Sequence, residues 1–276
     1  MQFNNIIKEI AATDPEFPGR VHSRRSAMRE FAGLGARISL AAMPLFIGSV
    51  FKKAYAQPSM GPVLEILNYA LTLEYLESEF YATAITKGTA LIPAGPATNA
   101  IQTISNHEAA HVSFLKMAIT ASGGVPVSKP NFDFTAKGTF GDVFTNYATF
   151  LAVAQTFEDT GVRAYKGRAA ELVKGGDLLT AALNIHSVEA RHAAHIRQMR
   201  KNNGFGDVKP WITGKDSGIG SVVQASYDGE DNTSQAGVNI VNINGQAISA
   251  AAASEAFDEG LSKDQVLAIV SPFFVS

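Results

Sequence analysis

Glu108-Ala109-Ala110-His111 and Glu189-Ala190-Arg191-His192 are the stretches from which the architecture can be read. Each sets a carboxylate and an imidazole three positions apart. On a helix, positions three apart are neighbours on one face, so each pair can grip one ion. With fourteen Glu and six His in the chain, chance gives about 0.3 such spacings, so one alone carries little. The surroundings carry more. Glu74 lies upstream of Glu108, and Tyr81 follows Glu74 by seven positions. Glu158 lies upstream of Glu189 at nearly the same separation, and Tyr165 again follows Glu158 by seven. The order Glu…Tyr, Glu-x-x-His therefore occurs twice, with nearly matched offsets between the two halves. This is a repeat of a two-helix unit, recognised by its spacing.

The flanking sequence supplies the helices. From Pro62 to Lys87 there is no Gly and no internal Pro, and Leu64, Leu67, Leu71 and Tyr75 recur at helical spacing. Pro62 suits a start and Gly88 a stop. Further periodic runs cover 97–121, 141–173 and 178–202, with Asp177 as an N-cap for the last. At 1.5 Å per residue these helices are about 37–50 Å long. The loop 88–96 is short, and so is the break at 174–177. The connection 122–140 is long, and nineteen residues at about 3.3 Å each reach ~60 Å, the full length of such a bundle. An all-α fold follows: a four-helix bundle with one long crossover, the ferritin-like arrangement rather than a simple up-and-down one. Residues 204–245 read as irregular, with a short strand at 238–243, and 247–257 and 263–269 read as helical.

Four carboxylates converging in an apolar core repel one another and lose their hydration. Two divalent metals remove that penalty. Cys is absent, which excludes disulfides, Cys-based zinc sites, iron–sulfur clusters and thiol nucleophiles. A ligand set of oxygens and two imidazoles suits iron or manganese, with zinc as a further option.

At this point the residues resemble a known family. Glu74, Glu108, His111, Glu158, Glu189 and His192, with Leu73-Glu74-Tyr75-Leu76-Glu77-Ser78-Glu79-Phe80-Tyr81, are similar to the ferritin-like superfamily of di-iron carboxylate proteins. More narrowly they resemble the exported ferritin-like domain family that includes plant and bacterial desiccation-related proteins. The resemblance covers about residues 61–202. Ala256-Phe257-Asp258-Glu259 and Ser271-Pro272-Phe273 look similar too, extending it toward the C-terminus. It implies that Glu74 and Glu158 are terminal carboxylates, Glu108 and Glu189 bridging ones, and His111 and His192 nitrogen ligands. Two Fe or Mn ions per chain would be bound. Tyr81 and Tyr165 would stand beside the metals as the candidate catalytic side chains.

Neighbouring polar residues get plainer assignments. Glu77 is expected to face solvent, as are Arg191 and Arg197. His107, His186 and His195 are expected at the surface or behind the ligands rather than on a metal. His107-Glu108-Ala109-Ala110-His111 also matches H-E-x-x-H, in which both histidines would bind one zinc and Glu108 would be a protease base. That reading lacks the downstream Gly and His of the extended motif and leaves Glu74, Glu158, Glu189 and His192 without a role.

The charge is uneven. Residues 1–56 hold eight Lys/Arg against four Asp/Glu, so a total of −2 leaves −6 for the rest. The mature region offers no basic surface for nucleic acid. Arg24-Arg25, an apolar run from Ile38 to Phe51 and Ala54-Tyr55-Ala56 together form a secretory layout with a twin-arginine pair. The apolar run falls short of the roughly 20 residues that span a bilayer. The expected organisation is a Tat-type export signal at 1–56, a bundle at 57–203 and an extension at 204–276. The expected protein is periplasmic or otherwise exported and has no permanent membrane span. The tail would obstruct a closed cage, so a monomer or homodimer is expected. Two activities remain: a ferroxidase or peroxidase acting on iron and dioxygen or peroxide, or a non-catalytic desiccation-related structural protein.

Overall fold

The computed structural model describes residues 61–175 and 177–275. The twin arginines and the expected cleavage site lie outside them. Four long helices dominate: α1 (Gly61–Lys87), α2 (Pro96–Ala121), α3 (Tyr147–Ala169) and α4 (Asp177–Asn202). No helix among the described residues is long and apolar enough to cross a membrane.

α1 packs on α2 and α3 on α4, giving two hairpins that face each other. Gly95 at φ 95° and Pro96 at the first helical position start α2. α3 begins at Tyr147, later than its periodicity suggests, because the Asn146 side chain caps it by accepting from Ala148 and Thr149 N–H. Residues 141–145 are turn instead. At its far end α3 tightens into a 3₁₀ turn over Ala170–Gly175.

The long connection runs beside α1 from start to end. Gly124 lies against Leu64, Asn68 donates to Val125 O and accepts from Val127 N–H, and Lys129 pairs with Glu79. Phe134 then meets Phe80, with ring centroids 5.4 Å apart. The chain thus re-enters the bundle at the end opposite the one where α2 stopped. α3 runs antiparallel to α1, which places Tyr165 beside Glu74 and Tyr81 beside Glu158. An aromatic cluster of Phe80, Tyr81, Phe134, Phe144, Phe150, Phe157 and Phe273 fills this end of the core.

The C-terminal region is irregular, with α5 (Ala250–Ser254) shorter than its periodic run and α6 (Lys263–Val270) close to it. Ser262 and Gln265 form a capping box on α6. The expected strand at 238–243 shrinks to a hairpin of two-residue strands, β1 (Ser234–Gln235) and β2 (Val238–Asn239). Ala236 and Gly237, both at positive φ, turn it. This region packs on α3 and α4 through buried ions. Arg163 on α3 donates to the carbonyls of Ser226, Asp228 and Glu259 and pairs with Glu230 at 2.7 Å. Arg197 on α4 grips Asp159 at 2.5 and 3.1 Å, and Tyr227 donates to the same carboxylate at 2.7 Å. Arg197 is 1% exposed, so the expectation that it faces water is wrong. A carboxylate one position after Glu158, turned away from the central stripe of α3, holds it inside. Arg191 is exposed as expected.

Candidate metal centre

The bundle axis is where the repeat converges. Glu74, Glu108, Glu158 and Glu189 have no exposed surface, and His111 and His192 are 8% and 5% exposed. One ligand atom from each of Glu74, Glu108, His111 and Glu189 lies within 4.8 Å of the others. The same holds for Glu108, Glu158, Glu189 and His192. The two sets share Glu108 and Glu189. His111 Nδ1 sits 3.1 Å from Glu74, 3.4 Å from Glu108 and 3.0 Å from Glu189. His192 Nδ1 sits 2.9 Å from Glu108, 3.4 Å from Glu158 and 3.6 Å from Glu189. All six sequence-selected residues are therefore brought together: a Glu–His pair from each of α2 and α4, and one carboxylate from each of α1 and α3.

Tyr81 and Tyr165 also arrive here, but crosswise. Tyr81 donates to Glu158 Oε1 at 2.5 Å, and Tyr165 donates to Glu74 Oε1. Each tyrosine thus serves the other half's glutamate rather than the one seven positions before it. The antiparallel pairing of α1 and α3 is the reason.

The donor set fits a pair of metal ions. Both oxygens of Glu108, both of Glu189, Glu158 Oε2 and His192 Nδ1 are buried without a hydrogen-bond partner. Buried polar atoms in that state are rare and destabilising. Here they all gather in the same two places, where divalent ions would satisfy them. Burial pushes the carboxyls of Glu108 and Glu158 above their ordinary range, with repulsion from Glu189 adding to it. Burial also opposes charge on His111, but the nearby carboxylates of Glu108, Glu189 and Glu74 outweigh it and hold the ring well above its usual value. Burial, then Glu158, pushes the Tyr81 phenol up, and burial, then Glu74, does the same to Tyr165, so both stay protonated donors.

One residue needs reassignment. Glu77, expected in solvent, is 4% exposed and one turn from Glu74. Its carboxyl is pushed well up by burial and by Glu189, Glu108, Glu158 and Glu74. Gly161 makes the room: a Cβ there would stand 3.1 Å from Glu77 Oε1. Gly161 occupies the position equivalent to Glu77 in the second half, since both lie three positions after the terminal glutamate. That Glu–Gly pairing at matched positions is the signal that would have found it. His107 lies at the surface behind a ligand, as expected. Its Nδ1 lies 3.0 Å from His192 Nε2, with the rings stacked 5.2 Å apart. It backs a candidate ligand from outside. His107 is absent from both clusters and sets its Nδ1 against His192, so no described third ligand joins His107 and His111 as the H-E-x-x-H zinc reading requires. His195 is exposed, and His186 lies 3.0 Å from the Val162 carbonyl through Nδ1.

The ferritin-like domain family matches residues 63–202. The chain belongs to this family. Its match ends where α4 ends, and the two carboxylate–histidine helices fall inside it. No curated protein matches the chain.

Proposed function

We propose that this ferritin-like chain holds two iron or manganese ions per molecule and acts as an exported oxidoreductase. It would oxidise ferrous iron or reduce peroxide or dioxygen in stress protection, as a monomer or homodimer. The observation that carries this is the pair of buried ligand clusters sharing Glu108 and Glu189. Two bound ions supply paired one-electron couples and open positions for a small oxygen species.

The chain's own residues do the rest. Glu108 and Glu189 each offer two oxygens and would set the spacing of the pair. Glu74 with His111, and Glu158 with His192, would close the two ends. Tyr81 and Tyr165 orient the terminal carboxylates through hydrogen bonds and keep a proton at the phenol oxygen. The four carboxylates have no exposed surface, so charges there act at low dielectric. Residues 1–56 belong to the same reading: their layout supports removal after Ala56 and export. The desiccation-related resemblance supports a stress role.

Anaerobic titration with ferrous iron, followed by air, tests the activity. Two irons bound per chain and oxidation faster than buffer are expected. Binding well below two, or oxidation no faster than buffer, overturns it. That result leaves the desiccation-related structural role, with the buried polar residues serving the bundle alone.

A further inference from the structure

The repeat gives both halves what the metal pair needs, so features present in only one half point to something else. One such feature is an open groove of about 940 Å³ between α2 and α4 whose floor is His192. Its ionisable wall is His107, Arg191 and His195, with Asn99, Thr103, Asn202 and Asn203 as neutral polar lining, and no carboxylate is found among its described lining. When Glu108-x-x-His111 is aligned with Glu189-x-x-His192, these three positions correspond to Val188, Ala110 and Phe114. The mirrored positions in the other half therefore carry no ionisable side chain, and neither metal holding nor bundle packing accounts for Arg191 and His195. Among the described residues Arg191 reaches only the Ser187 hydroxyl, at 3.4 Å, and pairs with no acid. Tyr147, also on the wall, has a buried phenol oxygen without a partner. Ile104, Ala100 and Met199 line the groove with apolar surface. Peroxide or dioxygen needs far less room, whereas this volume suits a small organic molecule.

We propose that the groove is a second binding site, for a small organic anion with an apolar body such as an aromatic carboxylate, and that His107 couples it to the metal centre. Arg191 is the charged anchor, because an exposed guanidinium without an acid partner is free to take a carboxylate in bidentate fashion. The absence of competing carboxylates gives the groove one sign of charge. His107 stands between groove and centre, with its Nδ1 on His192 Nε2. A ligand against His107 alters that contact, and through it the orientation of the His192 ring. The coupling half of the inference rests on the dinuclear reading; the binding half does not.

Benzoate is the probe, benzamide its uncharged control, and cobalt(II) the reporter metal. Calorimetry on the cobalt-loaded full chain is expected to show one benzoate per chain, with benzamide about tenfold weaker or worse. Arg191→Gln is expected to weaken benzoate about tenfold while cobalt stoichiometry stays at the wild-type value. Benzoate is expected to shift the visible cobalt absorption of the wild type, and His107→Ala is expected to abolish the shift while benzoate still binds. Equal binding of benzamide overturns the proposal, because the charge then does nothing. Undiminished binding to Arg191→Gln overturns it as well, since the carboxylate would then sit on the metal itself. A shift that survives His107→Ala overturns the coupling. If the wild type takes up no cobalt, the dinuclear reading fails, while benzoate binding to Arg191 stands or falls on the calorimetry alone.

Discussion

Glu108 and Glu189 present both oxygens to the centre, whereas Glu74 and Glu158 each commit one oxygen to a tyrosine. The difference predicts unequal effects of removal. Glu108→Gln takes an oxygen ligand from both clusters and is expected to leave near-zero metal per chain. Glu74→Gln affects one cluster and is expected to leave about one ion, with the remaining affinity lowered some 10–100-fold. Metal analysis after dialysis against zinc separates the two, and equal losses would contradict shared ligation. A glutamate acting as a protease base would instead leave zinc bound in Glu108→Gln. The six ligand candidates were legible because helical spacing sets each Glu beside its His on one face and the repeat singles out Glu74 and Glu158. Glu77 was legible only from the comparison of the two halves, which sets it against Gly161. A carboxylate at a face boundary has no intrinsic preference for the interior, and what draws it in is the absence of a side chain at Gly161 on another helix.

α3 is the element where local signals and packing diverge most. Its periodicity runs on through 141–146, but Asn146 caps the helix and the upstream residues turn. Apolar residues in a turn that packs on the core mimic a helical stripe, so the start could not be read from the pattern. Its two glycines would weaken an isolated helix. Both are explained by neighbours: Gly161 by Glu77, and Gly167 by the C-terminal region. A Cβ at Gly167 would lie 1.9 Å from the Leu261 carbonyl oxygen. That contact is with backbone and cannot swing aside. Gly167→Ala is expected to destabilise the protein by about 3 kcal/mol, above the gain in helix propensity of ~1 kcal/mol. Denaturant unfolding measures it, and a stabilised variant would refute the close packing.

Across the whole chain, the C-terminal region is fastened to the bundle by ions that contribute no metal ligand. Arg197→Leu leaves Asp159 buried with the Tyr227 hydroxyl but without its cation and is expected to cost about 3–5 kcal/mol. Chemical unfolding checks this, and metal stoichiometry at low denaturant should stay unchanged. The centre also sets how stability varies with pH. Burial lowers His192, but the nearby carboxylates of Glu158 and Glu108 outweigh it and raise the ring to about 12. The folded chain then keeps a proton that the unfolded chain releases above about pH 6.5. That contribution is full below the unfolded value and is lost as pH rises toward the folded one. The raised carboxyl of Glu108 acts with the same sign from its unfolded value upward. Metal-free protein is therefore expected to melt at a lower temperature at about pH 8.5 than at about pH 6.5. Zinc-loaded protein should lose this slope, because metal takes the place of those protons. Melting curves with and without chelator decide it, and a metal-free melting temperature that rises with pH would refute the assignment.

Spacing along the chain was enough to specify the four helices, the crossover between the second and third, and the six residues on the central stripe. A helix converts separation along the chain into direction, so these features need nothing beyond the order of residues. The partners came only with the packed molecule: Tyr81 with Glu158, Glu77 with Gly161, His107 with His192, Arg197 with Asp159 and Tyr227. Each joins residues from separate elements, and the distance between two elements is set by how their faces pack. Spacing within either one does not contain it.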